Sequence, residues 1–248
     1  MREHETAVVY VVSPNRKDQL LQSLRSLLAS GSRVDLIRIC CVAAQPRRWR
    51  FADPRVSFEH VEPLFGEYFH GNKLYLCDTH AERVVFLDAD TVVLRPLERI
   101  WERREESFLA RRGTAMRSAK WDAAVWRGLL RTVGGQRVPM FNAGVLVFQN
   151  GSHRQLKNAW NQILLRFLVG ELPPPVPDKR MLEQWALAMA VAQEGISYVE
   201  LGRRAHAFAW QKESPDNAIV FHYGDRLFRR LRVPPPAGPG LAESLMRR

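Results

Sequence analysis

The sequence predicts an α/β fold with a Rossmann-like opening, and three observations predict it. Ala7–Val12 is a wholly apolar run of strand length, β-branched at four of six positions. Behind it Leu20, Leu21, Leu24, Leu27 and Leu28 recur at helical spacing, and Leu36–Val42 is a second apolar strand. Strands that are apolar throughout are covered on both faces, as in the parallel sheet of an α/β domain.

The elements follow in order. Ser13-Pro14-Asn15 breaks the first strand, Asn15 and Asp18 are placed to start the helix, and Gly31 stops it. No glycine-rich phosphate fingerprint follows the first strand, so any bound phosphate needs another means of neutralisation. Val56–Val61 alternates as a short strand. Phe65–His80 is expected to be helical and to deliver Lys73 just ahead of the central stretch, Arg83 to Pro96. There Val84–Leu87 is a strand, Asp88 and Asp90 follow it, and Pro96 stops a second apolar run. Beyond lie a short helix with Ile100 and Trp101, a strand at Phe108–Ala110, and a helix near Trp121–Leu130 closed by Gly134-Gly135. The polar, basic segment Arg111–Gly135 suits an acceptor-facing flap.

Met140–Phe148 is an apolar strand interrupted by Asn142 and Gly144, and a glycine there lets a ligand or another chain segment come close. Ser152-His153-Arg154-Gln155 has capping-box form, with Trp160, Ile163, Leu164, Phe167 and Leu168 as the buried stripe of its helix and Gly170 as its end. Leu172–Pro177 is a stiff extended connector. Asp178 caps a helix running to about Gln193, with Leu182, Trp185 and Met189 inward. Ser197–Leu201 and Ala218–Phe221 read as strands, the latter delivering His222. Residues 1–232 read as one domain and the Pro/Gly-rich 233–248 as a mobile tail.

Composition narrows the class. Of 248 residues 46% are apolar and 25% charged, ordinary values for a globular protein. A net charge of +11 favours acidic ligands: a nucleotide diphosphate, nucleic acid or an anionic membrane face. Basic clusters occur at Arg47–Arg50, Arg111–Arg112, Arg229–Arg232 and Arg247–Arg248, but no aromatics interleave with them in an RNA-binding pattern, so nucleic acid is not expected as a partner. The three cysteines, Cys40, Cys41 and Cys77, form no C-x-x-C pair, which argues against a zinc knuckle or disulfide framework and for a reducing compartment. No run approaches the roughly 18–20 apolar residues of a spanning helix. The expected location is the cytoplasm, and the basic character permits peripheral contact with a membrane.

On extended backbone, Asp88 and Asp90 project to the same side. Two such carboxylates repel unless a positive group lies between them, and a hard divalent cation holding a phosphate is one solution. The plainer alternative is a solvated Asp-rich turn.

With Lys73, Asp88-Ala89-Asp90, Phe141 through Phe148, Leu182-Glu183-Gln184-Trp185 and His222-Tyr223-Gly224 in that order, the sequence resembles the retaining glycosyltransferases of the glycogenin and galactosyltransferase type, often called family 8. The resemblance spans roughly residues 7 to 226, and its specific part is the Asp-Ala-Asp and Phe-Asn-Ala-Gly blocks about fifty residues apart. It implies a GT-A fold, a mixed sheet flanked by helices. It also implies a nucleotide-sugar donor, most often UDP-linked, a glycan or other acceptor, and a divalent metal, usually Mn²⁺ or else Mg²⁺. Carried over, Asp90 and His222 are metal ligands, Asp88 contacts the metal or the donor's ribose, and Lys73 lies near the donor phosphate and sugar. Asn142, with Ala143 and Gly144 in its block, and Gln184 are sugar-contacting groups, while Ser13 and Asn15 hold the base and ribose. Two carboxylates and an imidazole suit Mn²⁺ better than Ca²⁺. Glu183 and Gln184 are the catalytic candidates. Retention needs a carboxylate nucleophile or a front-face departure with positive charge on the sugar, and Glu183 reads as the stabiliser of that charge.

The chain departs from the family pattern at three places: Glu183-Gln184 for Asp-Gln, Arg180 at an acidic position, and a closing motif with Arg226 and Arg229 but no Pro-Trp. Taken singly, the residues also have plainer readings: His222 as a structural histidine, Lys73 as a solvated helix residue, Glu183 as a surface carboxylate, Asn142 as a partner for nearby backbone, Ser13 and Asn15 as turn and cap. Rival functions are an idle nucleotide-sugar binder of the same fold, a nucleotidyltransferase, and a basic nucleic-acid-binding protein.

Overall fold

The computed structural model describes residues 5–43, 51–134 and 137–224. The tail 233–248, the basic clusters at 47–50, 229–232 and 247–248, Arg226 and Gly135 lie outside the described residues. The first half contains β1 (Thr6–Val12), α1 (Lys17–Ala29), β2 (Leu36–Val42), β3 (Val56–Val61), β4 (Arg83–Leu87), β5 (Thr91–Val93), α2 (Glu98–Trp101) and β6 (Phe108–Arg112). The second half adds α3 (Ala123–Thr132), β7 (Phe141–Phe148), α4 (Ser152–Leu168), α5 (Leu182–Gln193), β8 (Tyr198–Glu200), β9 (His206–Phe208) and β10 (Val220–His222).

Seven strands form a mixed sheet in the order β3-β2-β1-β4-β7-β6-β8. β2, β1, β4 and β3 run parallel, β7 runs antiparallel between β4 and β6, and β8 is parallel to β6. Alternation along β1 feeds two cores, one on each face. Ala7, Val9 and Val11 face the side packed by α4 and α5, and Val8, Tyr10 and Val12 face the side packed by α1 and α2. That double cover is why the strand carries no polar residue after Thr6. Cys40, Cys41 and Cys77 are free and buried in these cores, and burial pushes the thiols of Cys40 and Cys41 up to about 12 and about 11. Among the described residues no helix is long and apolar enough to cross a membrane.

Several local expectations are corrected. The segment ahead of β4 is helical as expected but shorter, Phe69–Asp78, and of the 3-10 type. Asn72 turns its side chain onto local backbone, accepting from Leu64 N at 2.8 Å and donating to Phe69 O at 2.8 Å, a competition that weakens α-helical pairing. Asn15 does not cap α1, because its carbonyl oxygen is engaged by the Ser13 hydroxyl at 2.5 Å. Ser152 forms no capping box: Gly151, at φ +69°, is the N-cap, and the Ser152 hydroxyl donates to Ser107 O at 2.7 Å. Asp178 does cap, accepting from Arg180 N at 3.1 Å on a 3-10 turn that leads into α5. Gly31 and Gly170 terminate α1 and α4 in the left-handed region.

A second sheet, β5-β10-β9, is not predicted by the sequence, which marks only the strand at Ala218–Phe221 among its three. β10 pairs antiparallel with β5 and parallel with β9. It stands at the end of β4, where the chain leaves the large sheet.

Candidate active site

β4 ends at Leu87, and Asp88-Ala89-Asp90 is a turn, closed by Thr91 N donating to Asp88 O at 3.2 Å. The carboxylates therefore come together through the turn and not through the pleat of an extended strand. A buried hydroxyl chain braces it: Tyr10 Oη to Ser23 Oγ at 3.0 Å, Ser23 Oγ to Thr91 Oγ1 at 3.2 Å, and Thr91 Oγ1 donating to Asp88 O at 2.8 Å. Both sheets hold the turn as well, since Asp88 N donates to Gly144 O at 2.9 Å and Tyr223 N to Asp90 O at 3.1 Å.

His222 arrives from the far end of the described chain because β10 pairs with β5, setting His222 opposite Thr91. Its Nε2 lies 3.0 Å from Asp90 Oδ1. One ligand atom each of Asp88, Asp90 and His222 falls within 4.8 Å of the others. The imidazole fits against β7 only because position 144 is glycine: a Cβ there would collide with the His222 ring. β7 is irregular here, with Ala110 opposite Leu146 but Arg112 opposite Phe141. Such bulges re-aim backbone groups near active sites.

Behind His222 stands His206, which sequence reasoning missed. The two rings stack with centroids 5.4 Å apart and an interplanar angle of 13°, and His206 Nε2 is 3.3 Å from His222 Nδ1. Trp210 meets His222 edge-on at 4.8 Å. Burial opposes a charge on His222, but Asp90 outweighs it and holds the imidazole above its ordinary pKa. For Asp90 burial likewise opposes the charge, and His222 reverses the balance, so its carboxyl lies below the usual range. His206 is pushed well below the ordinary histidine value by burial, with His222 and Arg111 adding to it.

On the other side of the turn Lys73 is buried, with Nζ 3.0 Å from Asp88 Oδ1 and 3.0 Å from Ala143 O. Burial opposes its charge, yet Asp88 and Glu183 outweigh burial and keep the ammonium above its ordinary pKa. Glu183 is 1% exposed, which corrects the surface reading, and its Oε1 is 3.7 Å from Lys73 Nζ. Tyr68, also missed, donates its hydroxyl to Glu183 Oε2 at 2.7 Å and accepts from Glu183 N at 3.0 Å. Residues 68 and 183 are 115 apart in sequence, so no spacing rule relates them. Asn142 Oδ1 accepts from Gly144 N at 3.0 Å, a local backbone role. Gln184 is half-buried and makes no side-chain hydrogen bond among the described residues. Ser13 and Asn15 lie at the end of β1, on the same sheet edge as Asp88 by the parallel register Val9↔Phe86, but among the described residues no contact joins them to the cluster.

Residues 54–195 match the family described as the Rhodobacterales glycosyltransferase domain. No curated protein matches the chain in sequence. Among solved structures the chain is similar to the galactosyltransferase LgtC in complex with donor and acceptor sugar analogues, at 16% identity over 88% of this chain and 87% of that one, with a TM-score of 0.59. It is similar to apo GlyE of Streptococcus pneumoniae TIGR4 at 17% identity, over 90% of this chain and 55% of that one, with a TM-score of 0.59. The bifunctional glycosyltransferase WbbM gives 15% identity over 90% of this chain and 46% of that one, with a TM-score of 0.61. At these identities the likeness is one of fold, the GT-A arrangement of a mixed sheet flanked by helices.

Proposed function

This chain belongs to the Rhodobacterales glycosyltransferase domain family and is a glycosyltransferase, and from that premise we propose that it transfers a sugar from a UDP-sugar to an acceptor, with retention and with a divalent cation bound by Asp88, Asp90 and His222. The observation that carries the reading is the convergence of those three side chains, from the end of β4 and from β10, within 4.8 Å.

The donor set fits such an ion. Two carboxylates and one imidazole are a mixed hard and borderline set that suits Mn²⁺ or Mg²⁺ more than Ca²⁺. With an ion bound, Nε2 of His222, which faces Asp90, would be the coordinating nitrogen, and Nδ1 would keep its proton and donate it to His206 Nε2, a bond that would fix the ring's orientation. When bound, the ion supplies Lewis-acid neutralisation of a diphosphate leaving group.

The remaining roles fall to this chain's own residues. Lys73, locked between Asp88 and Ala143 O, puts a fixed positive charge beside the place where the diphosphate gains charge. Glu183 is held by Tyr68 and faces Lys73, and this restraint supports a stabilising role toward positive charge on the sugar over covalent attack. Gln184 and the amide nitrogen of Asn142, without a hydrogen-bond partner among the described residues, are the groups for sugar hydroxyls. Ala143 and Gly144 give the donor a wall without bulk, and Ser13 and Asn15 at the β1 end hold base and ribose. Residues up to 232 form one catalytic unit in this reading.

The test is nucleotide release. The protein is incubated with a panel of UDP- and GDP-sugars and Mn²⁺ without acceptor, and slow hydrolysis is followed. Release from UDP-sugars that falls at least about 100-fold in D90A and on chelation supports the proposal. UDP binding without any release, with or without Mn²⁺, overturns it in favour of an idle binder.

A further inference from the structure

β6 ends in two arginines, and each is pinned by a carboxylate. Arg111 forms a two-pronged pair with Glu213, at 2.6 Å to each oxygen, and also donates to His206 O. Arg112 forms a second such pair with Glu200 on β8, at 2.6 and 3.0 Å. With Arg117 and Arg203 these groups line a cavity of about 590 Å³. That lies within the range of roughly 300–1,000 Å³ typical of small-molecule sites.

The charges of this cavity do not balance. Among the described residues four guanidinium groups line it with two carboxylates, a surplus of two positive charges. The surplus sits on Arg117 and Arg203, which are exposed and make no ion pair or side-chain hydrogen bond among the described residues. Arg203 nevertheless lies close enough to Glu213 to help Arg111 hold that carboxyl below its usual range. Arg111 and Arg112 are therefore fixed walls, and Arg117 and Arg203 are lining residues whose donors no group among the described residues engages. A guanidinium offers a planar fork that matches a carboxylate or a phosphate two bonds at a time, which makes such a pair selective for those groups.

The cavity is separate from the metal triad but touches its border on two sides. None of Lys73, Asp88, Asp90, Glu183 and His222 lines it. Arg112 stands in register with Phe141, the neighbour of Asn142. Gln211, on its wall, follows Trp210, whose exposed ring meets His222 edge-on. β6 runs in the same direction as β4, so its arginines end at the same edge of the large sheet as Asp88, on the side of the turn opposite to β1 and Ser13, and a molecule held here would approach the triad from that side.

We propose that this cavity is the acceptor pocket and that the acceptor carries an anionic group, a phosphate ester or a carboxylate, gripped by Arg117 and Arg203. The inference rests on the glycosyl-transfer reading for the word acceptor, but the anion preference stands on the cavity itself.

The test is calorimetric titration of the full chain with glucose, glucose 6-phosphate and glucuronate, for the wild type and for R117A/R203A, with UDP plus Mn²⁺ as a separate arm. The phosphate or the carboxylate sugar, or both, should bind at least about tenfold more tightly than glucose, and the arm that binds names the anion. The advantage should weaken with added salt and vanish in the double variant, while UDP binding stays equal in both proteins. Equal binding of charged and neutral sugars, no binding of either charged sugar, or an advantage that survives R117A/R203A overturns the proposal. Both arginines are exposed, so the variant should unfold at the wild-type temperature; if it does not, R117Q and R203Q singly carry the same comparison. Failure of the UDP arm in the wild type sinks the donor reading and leaves the anion preference measurable.

Discussion

The large sheet has long strands at its centre and only β8, at its edge, as short as three residues, whereas every strand of the small sheet is that short. β1 and β2 have seven residues and β7 has eight, whereas β5, β9 and β10 have three each. The large sheet is held by burial on both faces: Val84, Val85, Phe86 and Leu87 of β4 are fully buried, and each large apolar side chain so placed contributes about 1.5–3 kcal/mol. Three-residue strands cannot do this alone, and the small sheet borrows its order from outside. Val93 N donates to Ser26 Oγ at 2.9 Å, Phe208 N donates to Glu213 Oε2 at 2.7 Å, and the Arg111 guanidinium lies 4.0 Å from the Phe208 ring centroid. One sheet supplies stability, and the other brings a late histidine to a turn made early in the chain.

Three changes break or sharpen that contrast. Phe86→Ala empties the centre of the large sheet and should cost about 3–5 kcal/mol, read as a global loss in denaturant unfolding. Gly144→Ala acts at the contact between the sheets, forcing the His222 ring away from β7. It should lower Mn²⁺ affinity on the order of 10- to 100-fold, measured by calorimetry, while the denaturant midpoint moves far less than in F86A. An unchanged Mn²⁺ affinity would show that the imbalance between the sheets has no bearing on the site.

Glu213→Gln should have the smallest effect, about 1–2 kcal/mol at neutral pH, because it loosens only the pin between β6 and β9. Its hydrogen-bonded pair with Arg111 holds the Glu213 carboxyl below the usual range in the folded state. The stabilisation is therefore complete above the unfolded glutamate pKa, near 4.3, and is lost as pH falls through the lower folded value. Wild type should show that extra acid destabilisation and E213Q should lack it, in thermal unfolding followed across acid pH.

The same contrast explains what the sequence reveals. Long apolar strands and leucine spacing declare themselves, so β1, α1, β2, β4 and β7 are where the residues predict. The Asp88, Asp90 and His222 set was legible through its likeness to a family pattern, and the structure does bring the three together. β9 was not legible, since His206-Ala207-Phe208 is too short for any period to register. Nor was Tyr68, because its bond to Glu183 depends on how α5 packs and not on neighbouring residues. The plainer reading of Glu183, a surface carboxylate, fails for a related reason: α5 is buried nearly all round, so a charged residue on it has no polar face to occupy.

The distance along the chain between Asp90 and His222 has a consequence for biosynthesis. A growing chain acquires its two acids, and the lysine beside them, long before the ribosome reaches the strand that carries the imidazole. A product cut short ahead of residue 220 would carry Lys73, Asp88 and Asp90 but not the imidazole that the proposed cation site requires. In the proposed reading β10, the last strand among the described residues, is therefore the element on which completion of the site waits.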